Sequence, residues 1–338
     1  MFEVRRELCL RSCGRLLVQG AALSADAGGG RNLPLSGLSG ASAHRCGKRF
    51  ETRDIVTFMS DPTLAVTLRR HDRDRYQTAL FAPAQRRNAL FALYAFNYEV
   101  ARIREYVREP MLGMIRLQWW RDALDEIYAG KRPRRHEVAT PLAAAIATHH
   151  LSRTHFSTLL DVRARDMEDV PPESLAALED YAAGTSGVLN LLALEILGIG
   201  DARAAEAARA AGIAYAFAGL RVAVPFHAQR RRLYLPVELT NRHNVDLERS
   251  LFALKLSPAL ASVARDIAAR ARQHLDAARR ERGAIPRAAL PVLLHATLAE
   301  RRLKQIDAAG HNVFDPRLVA ADTLQSLRLS WASMRGVY

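Results

Sequence analysis

From residue 60 to the C-terminus, apolar and polar positions recur with a helical period, and no useful stretch alternates with the two-residue period of a half-buried strand. Ser60-Asp61-Pro62 supplies an N-cap and a first-turn proline. Pro83 opens a second helix, AQRRNALFALYAFNYEVARIREYV, with apolar residues at 90, 93, 94, 96, 100 and 103. Pro110 opens a third, MLGMIRLQWWRDALDEIYAG, which Gly130 ends. Pro133 and Pro141 punctuate the next connection, and a short Ala-rich helix runs to His149. The pattern predicts further helices near 152–168, 174–198, 201–224, 258–282, 288–309 and 318–334. An apolar run is expected to break at Pro225. There is no fixed-period repeat, so the prediction is one all-α domain over 59–338.

Residues 1–58 follow a different rule. GAALSADAGGGRNLPLSGLSGASAHRCGKR is rich in Gly, Ser and Ala without a sustained period, which reads as disorder. The opening MFEVRRELCLRSCGRLLVQG is short, Arg-rich and mildly amphipathic, like an organelle-targeting leader, although Glu3 and Glu7 count against that. The alternative is that Met59 is the true start.

Composition narrows the class. Hydrophobic residues make up 49% and charged residues 25% of the 338 residues, as in ordinary globular proteins. The longest uncharged stretch, Tyr181 to Leu194, contains Gly184, Thr185, Ser186, Gly187 and Asn190, so no membrane span is expected. The net charge of +14 favours an anionic partner such as diphosphate, nucleic acid or an anionic membrane surface. Lys stands only at 48, 131, 255 and 304, so the charge is carried by Arg. With abundant Ala, this bias fits a GC-rich, bacterial coding genome. A bacterial chain would lie in the cytoplasm or on the inner-membrane face, and a nuclear-encoded one would be sent by its leader to mitochondria. The cysteines, at 9, 13 and 46, leave the rest of the chain without a disulfide framework or thiolate metal site. No histidine pair has zinc-site spacing, and no helix-turn-helix or aromatic platform points to nucleic acid.

Candidate chemistry sits in a few segments. Tyr98, Arg102 and Glu105 share a helix face, which alone reads as a solvated, salt-bridged surface. DVRARDMED places Asp161, Arg163, Asp166 and Asp169 in a charged stripe that reads equally as an exposed helix end with local ion pairs. GLRVAVPFHAQRRRLYLP, residues 219–236, gathers Arg221, His227, Arg230, Arg231, Arg232 and Tyr234 without a carboxylate.

RRNALFALYAF, RLQWWRDALDEIYAG, YAAGTSGVL and RRRLYLP, in that order, resemble the squalene/phytoene synthase family over roughly 70–330. The resemblance implies an isoprenoid synthase helical fold with a central cavity, for which Tyr94, Tyr98 and Phe217 are candidate lining residues. Phe91, Phe96, Leu189 and Leu192 belong to the same apolar set, and a filled core is the competing reading. Active members join two prenyl diphosphates head to head, with aspartates on facing helices holding Mg²⁺ against the leaving diphosphate. Here the first aspartate motif falls on Ala101, Arg102 and Glu105, and the second on Ala223 and His227. Ala216 and Gly219 replace polar residues upstream of the second. Hard cations need anionic oxygen, so no metal site is expected, while Arg102, Arg221, Arg230, Arg231, Arg232 and Tyr234 remain candidates for binding a diphosphate or other anion.

AFNYEVARIRE, GMIRLQWWRDALDEIY, LEILGI and LRVAVPFHAQRRRLYLP are most similar to the family's complex I assembly factor 6 branch. That similarity implies a non-catalytic factor working on respiratory complex I subunits or assembly intermediates, with a prenyl or lipid ligand held in the cavity and no cofactor. The alternative is an active prenyltransferase using Mg²⁺ on Glu105, Asp122, Asp125, Asp161 or Asp166 as surrogate ligands. Either is compatible with Arg-rich helices around 265–283 and 299–304 resting on anionic lipid.

Overall fold

The computed structural model describes residues 62–107, 109–320 and 322–338, without the side chains of Pro62, Leu220, Arg221 and Val222. The expected leader, the cap at Ser60 and Asp61, and the start at Met59 lie outside the described residues.

The described residues form α-helices joined by short 3₁₀ and π turns, with no strand among them. In chain order these are α1 (Pro62–His71), α2 (Arg73–Ala79), α3 (Ala84–Tyr106), α4 (Pro110–Tyr128), α5 (Ala139–His149) and α6 (Arg153–Ala164). Then come α7 (Leu175–Ala182), α8 (Val188–Leu197), α9 (Ala202–Gln229), α10 (Val237–Arg242), α11 (Pro258–Arg279), α12 (Leu290–Ala308) and α13 (Gln325–Arg335). Side-chain caps start several of them. Asp72, Ser174, Asp201 and Ser257 accept from the backbone N–H groups of Arg75, Ala177, Ala204 and Leu260.

At the centre lies α9, against which α11, α12 and the π turn Ala183–Gly187 pack. It is buried nearly all round: Ala204, Ala207, Ala208, Ala211, Ala214, Tyr215, Phe217 and Ala218 are all at or below 3% exposure. Alanine suits this position because it favours the helix and lets neighbours approach. The closest approach is at Gly212, where a Cβ would stand 2.5 Å from the Ser186 carbonyl oxygen and 2.8 Å from Gly187 Cα.

Three expectations are corrected. α9 does not stop at Pro225 but runs on to Gln229 with a 52° bend between its Ala202–Gly219 and Ala223–Gln229 portions. The bend spans the position one turn upstream of the proline, where its ring crowds the carbonyl of residue 221. The helix expected over 174–198 is interrupted by the π turn, because Gly184 and Gly187 let the chain pass close to Val162 and Arg209. The last helix starts at Gln325 rather than near 318, after a 3₁₀ turn at Pro316–Leu318 capped by Asp315. Among the described residues no single helix is long and apolar enough to cross a membrane; the two portions of α9 pass together on length and composition, but that helix is core.

Candidate functional site

A cleft opens between α2, α3, α6, the π turn and α9. Its wall includes Asp72, Arg75, Tyr98, Ala101, Arg163, Tyr181, Ser186, Tyr215, Ala216 and Gly219, enclosing about 580 Å³ with its mouth counted.

The cleft's polarity comes from paired charges. Arg75 donates to Asp72 at 2.9 Å, and the ring faces of Tyr215 and Tyr94 lie 5.1 and 6.0 Å from its guanidinium carbon. Arg163 donates to Tyr181 Oη at 2.7 Å and to Asp166 at 3.2 Å, and Tyr181 donates to Asp166 at 3.1 Å. Burial pushes the Asp166 carboxyl upward, against the pull of Arg163. Burial likewise raises the Tyr181 phenol well above its ordinary range. Both guanidiniums therefore already have a carboxylate, and the site is close to neutral.

The stripe expected over 161–169 divides. Asp161 is exposed and meets Arg121, and Asp169 is exposed past the helix end, whereas Arg163 is buried in the cleft wall and Asp166 is half-buried beside it, so the exposed-helix-end reading holds for the two ends of the stripe and not for its middle. Asp169 accepts from Arg232 at 3.1 Å and from Arg104. Asp122 and Asp125 pair with Arg134 and Arg153 on exposed surface and do not line the cleft.

Ala101 stands in the cleft wall opposite Ala216 and Gly219. Arg102 lies between the rings of Tyr98 and Tyr106, at 4.7 and 4.2 Å, and 3.6 Å from the Glu105 carboxylate. Ala223 is buried. His227 is buried against Tyr234, with ring centroids 4.0 Å apart and neither ring nitrogen hydrogen-bonded. Burial, with Arg232 and Arg230 adding to it, lowers its pKa to about 3, so the imidazole is neutral. These positions supply one carboxylate, already beside a cation, and do not fit a Mg²⁺ pair. Among the described residues no group of His, Cys, Asp or Glu is placed to hold a metal.

The arginines after His227 diverge instead of converging. Arg230 lies over Phe226, 3.6 Å from the ring centroid. Arg231 takes a left-handed backbone (φ 54°) and reaches Glu248, while Arg232 turns in to Asp169. The Arg221 side chain lies outside the described residues. Tyr94 and Phe217 are core residues at 1% and 0% exposure, and only Tyr98 of the three cavity candidates borders the cleft. Phe91, Phe96, Leu189 and Leu192 are likewise packed core. Sequence reasoning missed Asp72, Arg75, Ser186 and Tyr215. Their one signal in the sequence is the Asp72–Arg75 spacing of three at a helix start.

Comparison with known proteins supplies the context for this geometry. The chain is 35% identical to NADH dehydrogenase (ubiquinone) complex I, assembly factor 6 of Bos taurus over 271 residues, 80% of this chain and 81% of the relative. It is 26% identical over 204 residues to presqualene diphosphate synthase of Rhodopseudomonas palustris, covering 60% of this chain and 72% of that one. Its fold matches a crystal structure of a dehydrosqualene synthase with a TM-score of 0.71 at 17% identity, over 81% of this chain and 95% of that one. The squalene/phytoene synthase profile matches residues 68–325, and the chain belongs to that family.

Proposed function

We propose that this protein is an assembly factor for NADH:ubiquinone oxidoreductase (complex I) that uses an isoprenoid synthase fold without its metal-dependent chemistry. The observation that carries the reading is the 35% identity with assembly factor 6 across four-fifths of both chains. The cleft supports it in physical terms. A diphosphate leaving group needs metal or dense cationic stabilisation, whereas Ala101, Arg102, Ala223 and His227 offer no metal ligand of the required kind. The arginines nearby are turned to Asp72, Asp166, Asp169 and Glu248. The partners on this reading are complex I subunits or assembly intermediates, with a prenyl or lipid ligand as an accessory. The site of action is mitochondrial in a eukaryote and the cytoplasmic side of the inner membrane in a bacterium.

Deletion of the gene tests it. Assembled complex I is lost while isoprenoid levels stay normal, and the wild-type chain and an Arg102→Ala, Glu105→Ala variant both restore assembly. Normal complex I in a clean deletion would sink the proposal.

The match to presqualene diphosphate synthase motivates a second reading, a prenyltransferase condensing two prenyl diphosphates head to head. Pure protein incubated with farnesyl or geranylgeranyl diphosphate and Mg²⁺ decides it. Diphosphate release above background supports the enzyme, and release at background removes it.

A further inference from the structure

The last helix has two apolar faces. Leu329 and Ala332 of α13 are buried, while Leu324, Leu327, Trp331 and Met334 are 50%, 66%, 54% and 72% exposed. Their spacing of three, four and three residues puts the exposed set on one side of the helix. Ser326 and Ser330, exposed between them, carry no charge, and Arg328, also between them, pairs with Asp322. Arg335 lies with its guanidinium carbon 4.7 Å from the Trp331 ring centroid.

The arginines at the start of this stripe are turned outward. Arg301 and Arg328 are 43% and 38% exposed, and the Asp322 they share is 15% exposed. In each pair the carboxylate lies inward and the guanidinium outward. The surface offered to solvent is therefore positive although the pairs are formally balanced.

We propose that this face of α13 docks on an anionic lipid surface, with Leu324, Leu327, Trp331 and Met334 entering the headgroup layer and the surrounding arginines meeting lipid phosphates. Two observations select lipid over the other occupants. A second copy of the chain would bring two cationic rims together, which costs energy. The stripe covers about three helical turns, well short of the three or four heptads of a coiled-coil seam. A tryptophan flanked by arginine is instead the residue pair that suits a membrane–water boundary. The arginines of α11 are differently placed: Arg270, Arg272 and Arg279 pair with Glu179, Asp307 and Glu300.

The test uses the full chain and vesicles of phosphatidylcholine with or without about one third phosphatidylglycerol. Sedimentation at low salt is expected to pellet the protein with the anionic vesicles only. The fluorescence should shift to the blue, since Trp331 is the exposed tryptophan while Trp120 is buried and Trp119 half-buried. A Leu327→Ser, Trp331→Ser, Met334→Ser variant should bind roughly tenfold more weakly or worse. Its melting temperature should be unchanged, because the three side chains are exposed. A second variant, Arg328→Glu with Arg335→Glu, should lose the preference for anionic over neutral vesicles. The proposal is overturned if wild type ignores anionic vesicles, or if the serine variant binds them as wild type does. It is also overturned if the serine change abolishes self-association in gel filtration and leaves vesicle binding intact.

Discussion

Asp74 and Arg302, 228 residues apart in the chain, form an ion pair whose side chains are 10% and 7% exposed. Asp74 also accepts from Tyr215 Oη at 3.0 Å and from Gln325 Nε2 at 2.7 Å. One carboxylate therefore ties α2 to α9, α12 and α13, and holds the cleft wall and the last helix to the same core. Removing it leaves a buried guanidinium without its counter-charge. Asp74→Asn is expected to lower the unfolding free energy by about 3–5 kcal/mol. Asp74→Leu combined with Arg302→Met should recover much of that loss. Urea unfolding of the single and double variants measures both, and equal destabilisation by the two would show that the pair is not the cause.

Gly212 decides how closely α9 passes the π turn. Gly212→Ala would set a methyl group against backbone atoms, which cannot turn aside as a flexible side chain can. A loss of about 1–3 kcal/mol is expected, read as a lower denaturation midpoint with an unchanged slope.

His227 gives the fold an acid limit. Its folded pKa, about 3, lies below the ordinary value of 6.5. As pH falls through 6.5 the unfolded chain takes up a proton that the folded chain refuses until about pH 3. Stability from this group is complete above pH 6.5 and is lost as pH falls from 6.5 toward 3. His227→Phe keeps an aromatic ring beside Tyr234 and removes both unpartnered nitrogens. Its stability should vary less with pH across that window, and a wild-type slope in the variant would assign the acid sensitivity elsewhere.

Arg231 closes the end of α9 in a left-handed conformation that glycine adopts freely. Its pair with Glu248 is mostly exposed and contributes little. Arg231→Gly is expected to raise stability by up to about 1 kcal/mol, and Arg231→Val to lower it by a similar amount. Thermal melts of the two variants should move in opposite directions.

Parts of this architecture are legible residue by residue. Pro110 and Pro258 open helices in the first turn and Pro83 at the cap, because a proline at either place gives up no helical hydrogen bond, and that rule is local. Pro225 misleads for the opposite reason: a lost hydrogen bond and a clash are tolerated where residues on both sides of the bend, Phe217 and Ala218 before it and Ala223, Val224 and Ala228 after it, are buried in the core. HDRDRY shows the same dependence on distant partners. A run of charges reads as solvated until partners from distant helices turn Asp72, Asp74 and Arg75 inward.

The sequence by itself determined the all-α class and the family, because period and motif order are properties of the chain. Only the tertiary structure decided that the arginines of 230–232 point three ways, that Arg75 and Arg163 are already paired, and that α13 shows a second apolar face. Each of those depends on which side chains from distant segments reach the same few ångströms, and no local spacing encodes that distance.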